Sequence, residues 1–411
     1  MTLSVKILQS VILLCVIILI TCGYIVVYHR PYLKAGDLDL YYTSTIHVIN
    51  GDIPYKDFKF EYPPLAILPI ILPGLIFHNS SFQNYSLVFF LENLLFIFLL
   101  GITIYNIAIK LNLSKFIWKI LARYAILILL SWITVSWRFD IFCTLLTALS
   151  FLSVLRKQAF IGGIWISLAI VTKLYPIVFI PVFLLYFFIQ KKYTQLFYLI
   201  LGCGIVIGLT TIGIALTAGD AILSFLNYHQ LRGLQIESIG GGFILVLHIL
   251  HYIAADVVFN YGAFHLASSW SDNLAKWSPI FFVITYLVII GFIKYDFTKD
   301  YKTKKYISSD SLLKGSVSVL LIFIITNKVF SPQYLIWLIP FILFLSIKYL
   351  KIIMVIFILT FLLFPFIYRF LLEINPFAVG VLVLRNLLVI IVLLLILVGD
   401  RYELLLKDNS H

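Results

Sequence analysis

Long apolar runs separated by short polar stretches dominate the chain. They cover residues 7–28, 85–109, 120–136, 139–155, 159–173, 175–190, 196–217, 279–294, 312–328, 332–347, 351–367 and 378–399. A helix that crosses a membrane needs about 20 predominantly apolar residues, and each run is closed by a charge, a proline or a glycine. The pattern predicts an all-α polytopic membrane protein with about twelve transmembrane helices.

Two further apolar segments do not fit that pattern. Residues 63–78 contain four prolines, and residues 240–256 are short and contain two histidines. Proline interrupts a continuous helix, so we expect juxtamembrane or re-entrant elements at both places. These segments lie in two large loops, residues 29–84 and 218–278.

Composition limits the class of protein. Apolar residues make up 62% of the 411 residues, charged residues only 12%, and the mean hydropathy is +1.08. Such a chain is too apolar for a water-soluble or disordered protein. The four cysteines lie in apolar runs, without the spacing of a disulfide framework or a metal cluster. We expect one integral membrane domain over residues 1–411.

The net charge of +12 follows the membrane topology. If the N-terminus is cytoplasmic, 19 of the 30 basic residues but only 6 of the 18 acidic residues face the cytoplasm. This bias predicts a multi-pass protein of the plasma membrane that has both termini in the cytoplasm and both large loops, with the active site, on the outer face. Dispersed basic residues give no support to a nucleic-acid partner.

The first outer loop contains the first candidate for chemistry. Asp37 follows the first span, and the sequence from Asp37 to Tyr41 suggests a short interfacial helix on which these two residues share a face. Asp37 could act as a general base beside a lipid substrate, or it could simply cap the helix. Asp37 and Asp39 also form a DxD sequence, but on a helix the two carboxylates diverge, which argues against a shared metal ion.

Several other charges lie at the outer ends of spans. Arg138 and Asp140 are separated by one residue, and Lys173 precedes a helix break at Pro176. A charge at membrane depth is costly, so each of these residues is a candidate for function. The alternatives are a structural ion pair for Arg138 and Asp140, and a snorkelling side chain for Lys173.

The second outer loop contains a polar, glycine-rich stretch at residues 227–242. Arg232, Gln235 and Glu237 offer a cation and two hydrogen-bonding side chains, which suit an anionic lipid phosphate. The alternative is a solvated loop. His248 and His251 could form a metal pair, but the sequence offers no third ligand.

Six motifs together resemble those of the polytopic GT-C glycosyltransferases, particularly the polyprenyl-phosphate-mannose-dependent α-1,2-mannosyltransferase-like family, glycosyltransferase family 87. They start with Asp37-Leu-Asp-Leu-Tyr41 and Glu61-Tyr62-Pro63-Pro64-Leu65 in the first loop, followed by Arg138-Phe139-Asp140, Thr172-Lys173-Leu174-Tyr175-Pro176, Arg232-Gly233-Leu234-Gln235-Ile236-Glu237-Ser238 and Ser331-Pro332-Gln333-Tyr334-Leu335-Ile336-Trp337. The resemblance covers about residues 30–340.

The resemblance implies a GT-C fold and an inverting transfer of a sugar, mannose first, from a polyprenyl-phosphate donor to a lipid or glycan acceptor. It implies that Asp37 is the general base and that neither a cofactor nor a divalent metal is needed. The implied substrate-binding residues are Asp39, Tyr41, Tyr62, Arg138, Asp140, Lys173, Tyr175, Arg232, Gln235, Glu237, Gln333 and Tyr334. Several family members carry a His-His pair where this chain has Gln333-Tyr334, which leaves the donor sugar open.

Two other classes of protein would share the dozen helices. A lipid transporter or flippase often shows two matching halves, but the prolines of residues 63–78 have no counterpart half a chain later. A lipid-linked glycan polymerase or ligase would need several arginines in its outer loop, where Arg232 stands almost alone.

Overall fold

The structure is a computed structural model that describes residues 3–29, 37–76, 81–219, 221 and 224–399. Helices account for most of it. The α-helices are α1 (Leu3–His29), α2 (Asp37–Ile49), α3 (Ile67–Ile76), α4 (Phe82–Lys110), α5 (Ile117–Leu130), α6 (Trp132–Trp137), α7 (Asp140–Leu155), α8 (Ala159–Ile170), α9 (Ile180–Ile189), α10 (Tyr193–Ala218), α11 (Ser224–Leu231), α12 (Ile239–Ile249), α13 (Ser269–Lys304), α14 (Ser309–Thr326), α15 (Tyr334–Ile342), α16 (Ile347–Phe361), α17 (Tyr368–Leu372) and α18 (Pro376–Val398). The strands are β1 (Asp256–Asn260) and β2 (Ala263–Ala267).

Seven helices of the described residues are long and apolar enough to cross a membrane. They cover Val5–Gly23, Phe82–Lys110, Tyr193–Ala218, Ser269–Lys304, Ser309–Thr326, Ile347–Leu372 and Pro376–Val398. Side chains on these helices expose large apolar groups such as Leu209 and Leu216, as lipid-facing surfaces do. The prediction of an all-α polytopic membrane protein is confirmed, and the count of twelve spans stays a prediction.

Shorter apolar helices form in the two segments, residues 63–78 and 240–256, for which the sequence predicted no full span. They cover Pro64–Ile76 and Ile239–Ile249. At about 1.5 Å per residue, a helix of 11 residues extends about 17 Å, roughly half the thickness of a bilayer core. Asp140–Leu155, Ala159–Ile170 and Tyr175–Ile189 are also shorter than a full span. Arg401 and Lys407, which contribute to the predicted cytoplasmic charge, lie outside the described residues.

The chain divides into two compact units, which we call unit 1 and unit 2. Unit 1 contains residues 1–177 and 192–230, and unit 2 contains residues 178–191 and 231–411. The expectation of a single domain over the whole chain stays a prediction.

In unit 1, the first outer loop is fixed to the helices that follow it. The hydroxyl groups of Thr45 in α2 and Tyr85 in α4 both donate to the carbonyl oxygen of Ile70 in α3, at 2.9 and 2.8 Å. Elsewhere in the unit, α8 and α10 approach so closely at Gly163 and Gly202 that a Cβ at either position would collide with the backbone of the other helix. Hydrogen bonds thus attach α2 to α3, and close backbone packing holds α8 against α10.

In unit 2, β1 and β2 form an antiparallel hairpin that pairs Asp256 with Ala267. Positive φ angles at Tyr261 (47°) and Gly262 (67°) make its tight turn. The amide of Ile236 donates to the carbonyl of Phe264 at 3.1 Å, so the segment between α11 and α12 runs along β2. This hairpin lies within the loop of residues 218–278 and was not predicted from the sequence.

Candidate active site

In unit 1, an ion pair joins Asp37 to Arg138. Asp37 is the first residue of α2, where the positive end of the helix dipole favours a carboxylate. Arg138 lies between α6 and α7 in an extended conformation (φ −136°, ψ 142°), and its Nη1 donates to Asp37 Oδ2. The extended backbone at Arg138 interrupts the helical path and turns the side chain toward α2.

A second ion pair lies next to the first. Asp140 begins α7, and Lys173, which follows the end of α8, donates from Nζ to Asp140 Oδ1 at 2.7 Å. The same ammonium lies 5.1 Å from the ring centroid of Phe139, a favourable cation–π distance. Arg138 and Asp140 are close neighbours in sequence, yet each of them pairs with a residue from another part of unit 1.

Together these four residues form what we call the Asp37 cluster: Asp37, Arg138, Asp140 and Lys173. Two carboxylates balance two cations, so the cluster carries little net charge, which lowers the cost of placing it partly out of water. Burial acts to lower the pKa of Arg138, but the carboxylates of Asp37 and Asp140 outweigh it and raise that pKa above its ordinary value. The Arg138 guanidinium therefore stays charged throughout the accessible pH range.

The two ion pairs differ in exposure. The Asp37 side chain is 19% exposed and Arg138 is 31% exposed, whereas Asp140 is only 1% exposed. A substrate that approaches the Asp37 cluster can therefore reach the carboxylate of Asp37 but not that of Asp140. This difference favours Asp37 for chemistry and Asp140 for support.

Aromatic rings surround the Asp37 cluster. The ring of Tyr41 lies 5.5 Å from Phe139 and 5.9 Å from Tyr62, and Tyr62 packs edge-on against Phe139 at 4.9 Å. Burial, followed by the charge of Tyr62 and of Asp37, raises the pKa of Tyr41 well above its ordinary value. Burial also raises the pKa of Tyr62, so both tyrosines remain protonated and can donate hydrogen bonds.

Two other residues predicted for this site occupy different positions. Tyr175, two residues after Lys173 in the sequence, is buried, and its hydroxyl oxygen lies 3.4 Å from Thr147 Oγ1. Asp39 is exposed on α2, although Asp37 and Leu38 on the same helix turn toward the protein. Within the described ranges, no group of three or more His, Cys, Asp or Glu side chains is arranged to hold a metal ion.

In unit 2, Gln235 joins two of the motifs found in the sequence. Its Oε1 accepts from the amide of Phe330 at 2.8 Å, and its Nε2 donates to Ser331 Oγ at 2.9 Å. The backbone N–H of Gln235 donates to the backbone carbonyl of Lys328 at 2.9 Å. The side chain and the backbone N–H of Gln235 therefore hold the segments 232–238 and 328–333 side by side.

Glu237 is buried beside Gln235. Its Oε2 accepts from Gln235 Nε2 at 3.2 Å and from the hydroxyl of Tyr368 at 3.3 Å. Its backbone carbonyl accepts from Nη2 of Arg385 at 2.8 Å, and the next carbonyl, that of Ser238, accepts from Nδ2 of Asn386 at 3.1 Å. Arg385 and Asn386, which are consecutive in α18, thus bind the backbone carbonyls of the two residues that immediately precede α12.

Basic side chains give this region a positive potential. Burial, followed by the charges of Arg232 and Lys328, lowers the pKa of His265 in β2 to about 4. Burial and Arg232 also lower the pKa of Lys328. His265 is therefore neutral at physiological pH, while Arg232 and Lys328 lie close enough to influence each other. We call these side chains, with the hydrogen-bonded groups around them, the Gln235 cluster: Arg232, Gln235, Glu237, His265, Lys328, Ser331 and Arg385.

The two predicted residues of the motif 331–337, Gln333 and Tyr334, have different surroundings. Gln333 is 7% exposed, and no atom in the described part of the chain bonds to its Oε1. Tyr334 begins α15 and stacks on Trp337, with ring centroids 3.9 Å apart. Gln333 thus presents a buried polar group, whereas Tyr334 packs against its own helix.

Sequence reasoning missed Arg385 and His265. Arg385 lies in an apolar run where a lone charge is rare, and that rarity was the available signal. His265 gave no comparable signal, because it acquires its neighbours only when β2 pairs with the segment before α12. Lys328 is the last residue of the apolar run 312–328, a position where a charge is conspicuous in the sequence.

Comparison with known proteins identifies the family. None of the curated proteins matches the chain. The model of glycosyltransferase family 87 matches residues 60–290, more than half of the 411 residues. The matched range contains Arg138, Asp140, Lys173 and the segment 232–238, which lie in the two clusters described above. The chain therefore belongs to glycosyltransferase family 87, as its motifs had predicted, and is a membrane-embedded member of that family of glycosyltransferases.

Proposed function

We propose that the protein is an inverting glycosyltransferase that uses a polyprenyl-phosphate sugar, with mannose as the first candidate, and transfers the sugar to a lipid or glycan acceptor on the outer face of the membrane. The observation that carries the proposal is the partly exposed carboxylate of Asp37, which Arg138 holds in place among buried aromatic rings. An ion pair holds this carboxylate at the start of α2, and a positioned base of this kind can act on the hydroxyl group of an acceptor.

In the proposed reaction, Asp37 accepts the proton of an acceptor hydroxyl group. The hydroxyl oxygen attacks the anomeric carbon from the face opposite the phosphate, and a new C–O bond forms with inversion. The bond between the anomeric carbon and the phosphate oxygen breaks, and its electron pair leaves with the lipid phosphate. Phosphate is a good leaving group, so a general acid is less important than nearby positive charge.

The contacts of Asp37 support this assignment over a helix-capping role. A capping carboxylate serves the backbone of its own helix, whereas Asp37 pairs with a side chain 101 residues later in the chain. Arg138 orients the carboxylate through their ion pair. Lys173 and Arg138 also supply positive charge within the same cluster.

The test compares Asp37→Asn with the wild type and with Asp57→Asn in isolated membranes. Radiolabelled polyprenyl-phosphate mannose, glucose and arabinose are offered with a native lipid extract as the acceptor. We expect wild-type transfer from one donor and a loss of at least about 1000-fold in Asp37→Asn. Asp57 is an exposed carboxylate in the same loop that accepts from the amide of Ile53 at 2.7 Å, a bond that asparagine can still accept.

Full transfer by properly inserted Asp37→Asn would exclude the base assignment. Absence of transfer by the inserted wild type from all three donors would exclude this donor class. In that case a lipid-flipping assay would test the transporter alternative.

A further inference from the structure

Three basic residues follow one another at intervals of four near the start of α5, and we call them the basic stripe: Lys115, Lys119 and Arg123. Lys115 lies in the 3-10 turn Ser114–Phe116 that precedes α5, and Lys119 and Arg123 share a face of the helix. Like charges one turn apart repel each other, so this pattern weakens the helix unless an anion lies beside it. The arrangement therefore favours a negatively charged partner.

The surrounding part of unit 1 contains almost no negative charge. From residue 93 to residue 219 the sequence has a single acidic residue, Asp140, which pairs with Lys173. The ammonium of Lys119 lies 5.7 Å from the ring centroid of Phe116, a contact that leaves its charge unbalanced. Among the described residues, no ion pair includes a member of the basic stripe.

The basic stripe lies at the end of unit 1 opposite the Asp37 cluster. α7 begins at Asp140 in that cluster and extends about 24 Å, at 1.5 Å per residue, before Arg156. Arg156 Nη2 donates to Asn106 Oδ1 at 2.8 Å, near the end of α4, and the 3-10 turn with Lys115 follows shortly after α4 ends. The distribution of basic residues predicts that this end faces the cytoplasm.

Arg123 differs from an arginine that merely snorkels. A snorkelling side chain keeps its charged head in water, whereas Nη1 of Arg123 is buried and bonds to no atom of the described residues. Arg123 also lies about 9 Å along α5 from its first residue, Ile117, within the apolar run 120–136. A buried guanidinium donor without an acceptor is costly, and an acceptor from outside the chain would remove that cost.

The neighbouring surface is apolar, as expected of helices that face lipid. α4, which packs against α5, exposes the side chains of Ile102, Tyr105 and Ile109. Trp118, next to Lys119 in α5, is half-buried, and tryptophan is enriched where a membrane meets water. A ligand that carries both a phosphate group and hydrocarbon chains matches this combination of cations and exposed apolar groups.

We propose that the basic stripe binds the headgroup of an anionic glycerophospholipid in the membrane leaflet at this end of unit 1. Arg123 donates from Nη1 to a phosphate oxygen, and Lys115 and Lys119 balance the remaining negative charge of the headgroup. The acyl chains lie along the exposed apolar side chains of α4. This lipid is a component of the bilayer and not a substrate, because its site lies at the opposite end of α7 from the Asp37 cluster.

The test measures lipid binding by purified protein in a neutral detergent. The protein is freed of co-purified lipid and titrated with phosphatidylglycerol, with zwitterionic phosphatidylcholine of the same acyl chains, and with inorganic phosphate as a competitor. We expect Arg123→Met to weaken phosphatidylglycerol binding at least about tenfold and Lys119→Met about fivefold, with phosphatidylcholine binding unchanged. Lys59→Met is the matched control for Lys119→Met, because Lys59 is an exposed lysine in the first outer loop of the same unit.

Unchanged affinity for phosphatidylglycerol in both Arg123→Met and Lys119→Met would overturn the proposal. An equal loss of phosphatidylcholine binding, or a loss in Lys59→Met as large as that in Lys119→Met, would also overturn it. Competition by inorganic phosphate at the same concentration as the lipid would overturn the assignment to a lipid headgroup. Asp37→Asn should bind phosphatidylglycerol as the wild type does, so this result does not depend on the transfer assay.

Melting temperatures address a purely structural role of Arg123. Because a ligand stabilises the state that binds it, phosphatidylglycerol should raise the melting temperature of the wild type more than that of Arg123→Met. Arg123→Lys keeps the positive charge but loses the planar guanidinium, so we expect its affinity to lie between those two proteins. If Arg123→Met only lowers the melting temperature while its folded fraction binds phosphatidylglycerol normally, Arg123 supports the fold and the site assignment is wrong.

Discussion

The guanidinium of Arg138 donates to the carboxylate of Asp37 across 101 residues of sequence, and both side chains remain partly accessible. Arg138 therefore orients Asp37 without hiding it. Because Arg138 is itself placed by the extended turn between α6 and α7, the geometry of the base depends on the end of one helix and the start of the next.

We expect Arg138→Gln to lower kcat by about 100-fold, because a displacement of the base by about 1 Å is enough for such a loss. The KM for the donor should change much less, and Arg138→Lys should restore part of the rate. Initial-rate measurements over a range of donor concentrations provide both constants. Arg156→Gln is the control, since Arg156 lies at the other end of α7 and bonds to Asn106 on the surface. Wild-type kcat in Arg138→Gln would contradict the positioning role.

Breaking the pair of Asp140 and Lys173 should destabilise unit 1. Asp140 is only 1% exposed, so Lys173→Met leaves a buried carboxylate without its 2.7 Å partner, at a cost on the order of 3 kcal/mol, and Asp140→Asn should cost less because Lys173 is 20% exposed. The double variant removes both charges and should recover much of that loss. Melting curves in detergent for the two single variants and the double variant form a double-mutant cycle. Additive losses would show that the two residues do not interact.

Acidification should destabilise the protein through His265. The pKa of His265 in the folded state is about 4, below the ordinary value of 6.5. Between these two pH values the unfolded chain therefore binds a proton at His265 and the folded chain does not. The contribution of the neutral imidazole to the free energy of unfolding is fully present above pH 6.5. It is lost as the pH falls toward 4, and the loss is on the order of 3 kcal/mol. The melting temperature of His265→Gln should therefore fall less than that of the wild type between pH 7 and pH 4.5. Parallel curves for the two proteins would contradict this prediction.

Chelation should leave transfer nearly unchanged. Asp37 faces Arg138 while Asp39 is exposed to solvent, so the two carboxylates of the DxD sequence do not converge on one point. Assays with and without EDTA, under otherwise identical conditions, test this expectation. Strong inhibition that a divalent metal reverses would instead support metal binding by the DxD sequence.

The hydrophobic pattern was sufficient for the fold class because a lipid environment imposes simple rules on helix length and polarity. The motifs contain the Asp37 cluster and part of the Gln235 cluster, but they do not contain His265, Lys328 or Arg385. The spacing between motifs carries no information on which side chains pair. Arg138 and Asp140 are separated by one residue, yet their partners are Asp37 and Lys173.

Other features depend on contacts that arise only in three dimensions. The β1–β2 hairpin has two short strands within a mainly helical chain, and its turn at Tyr261 and Gly262 gives a weak signal. His265 becomes part of the Gln235 cluster because β2 pairs beside Gln235. Such a pairing depends on backbone register, which local composition does not determine.

The attachment of α18 to the start of α12 limits how far the chain can be shortened. Arg385 and Asn386 bind the carbonyls of Glu237 and Ser238 from 148 residues away. A protein that ended soon after residue 290 would retain the whole range matched by the family model, but those two carbonyls would lose their donors and Phe330 its stacked cation. The minimal unit that preserves this loop is therefore longer than the region by which the family is identified.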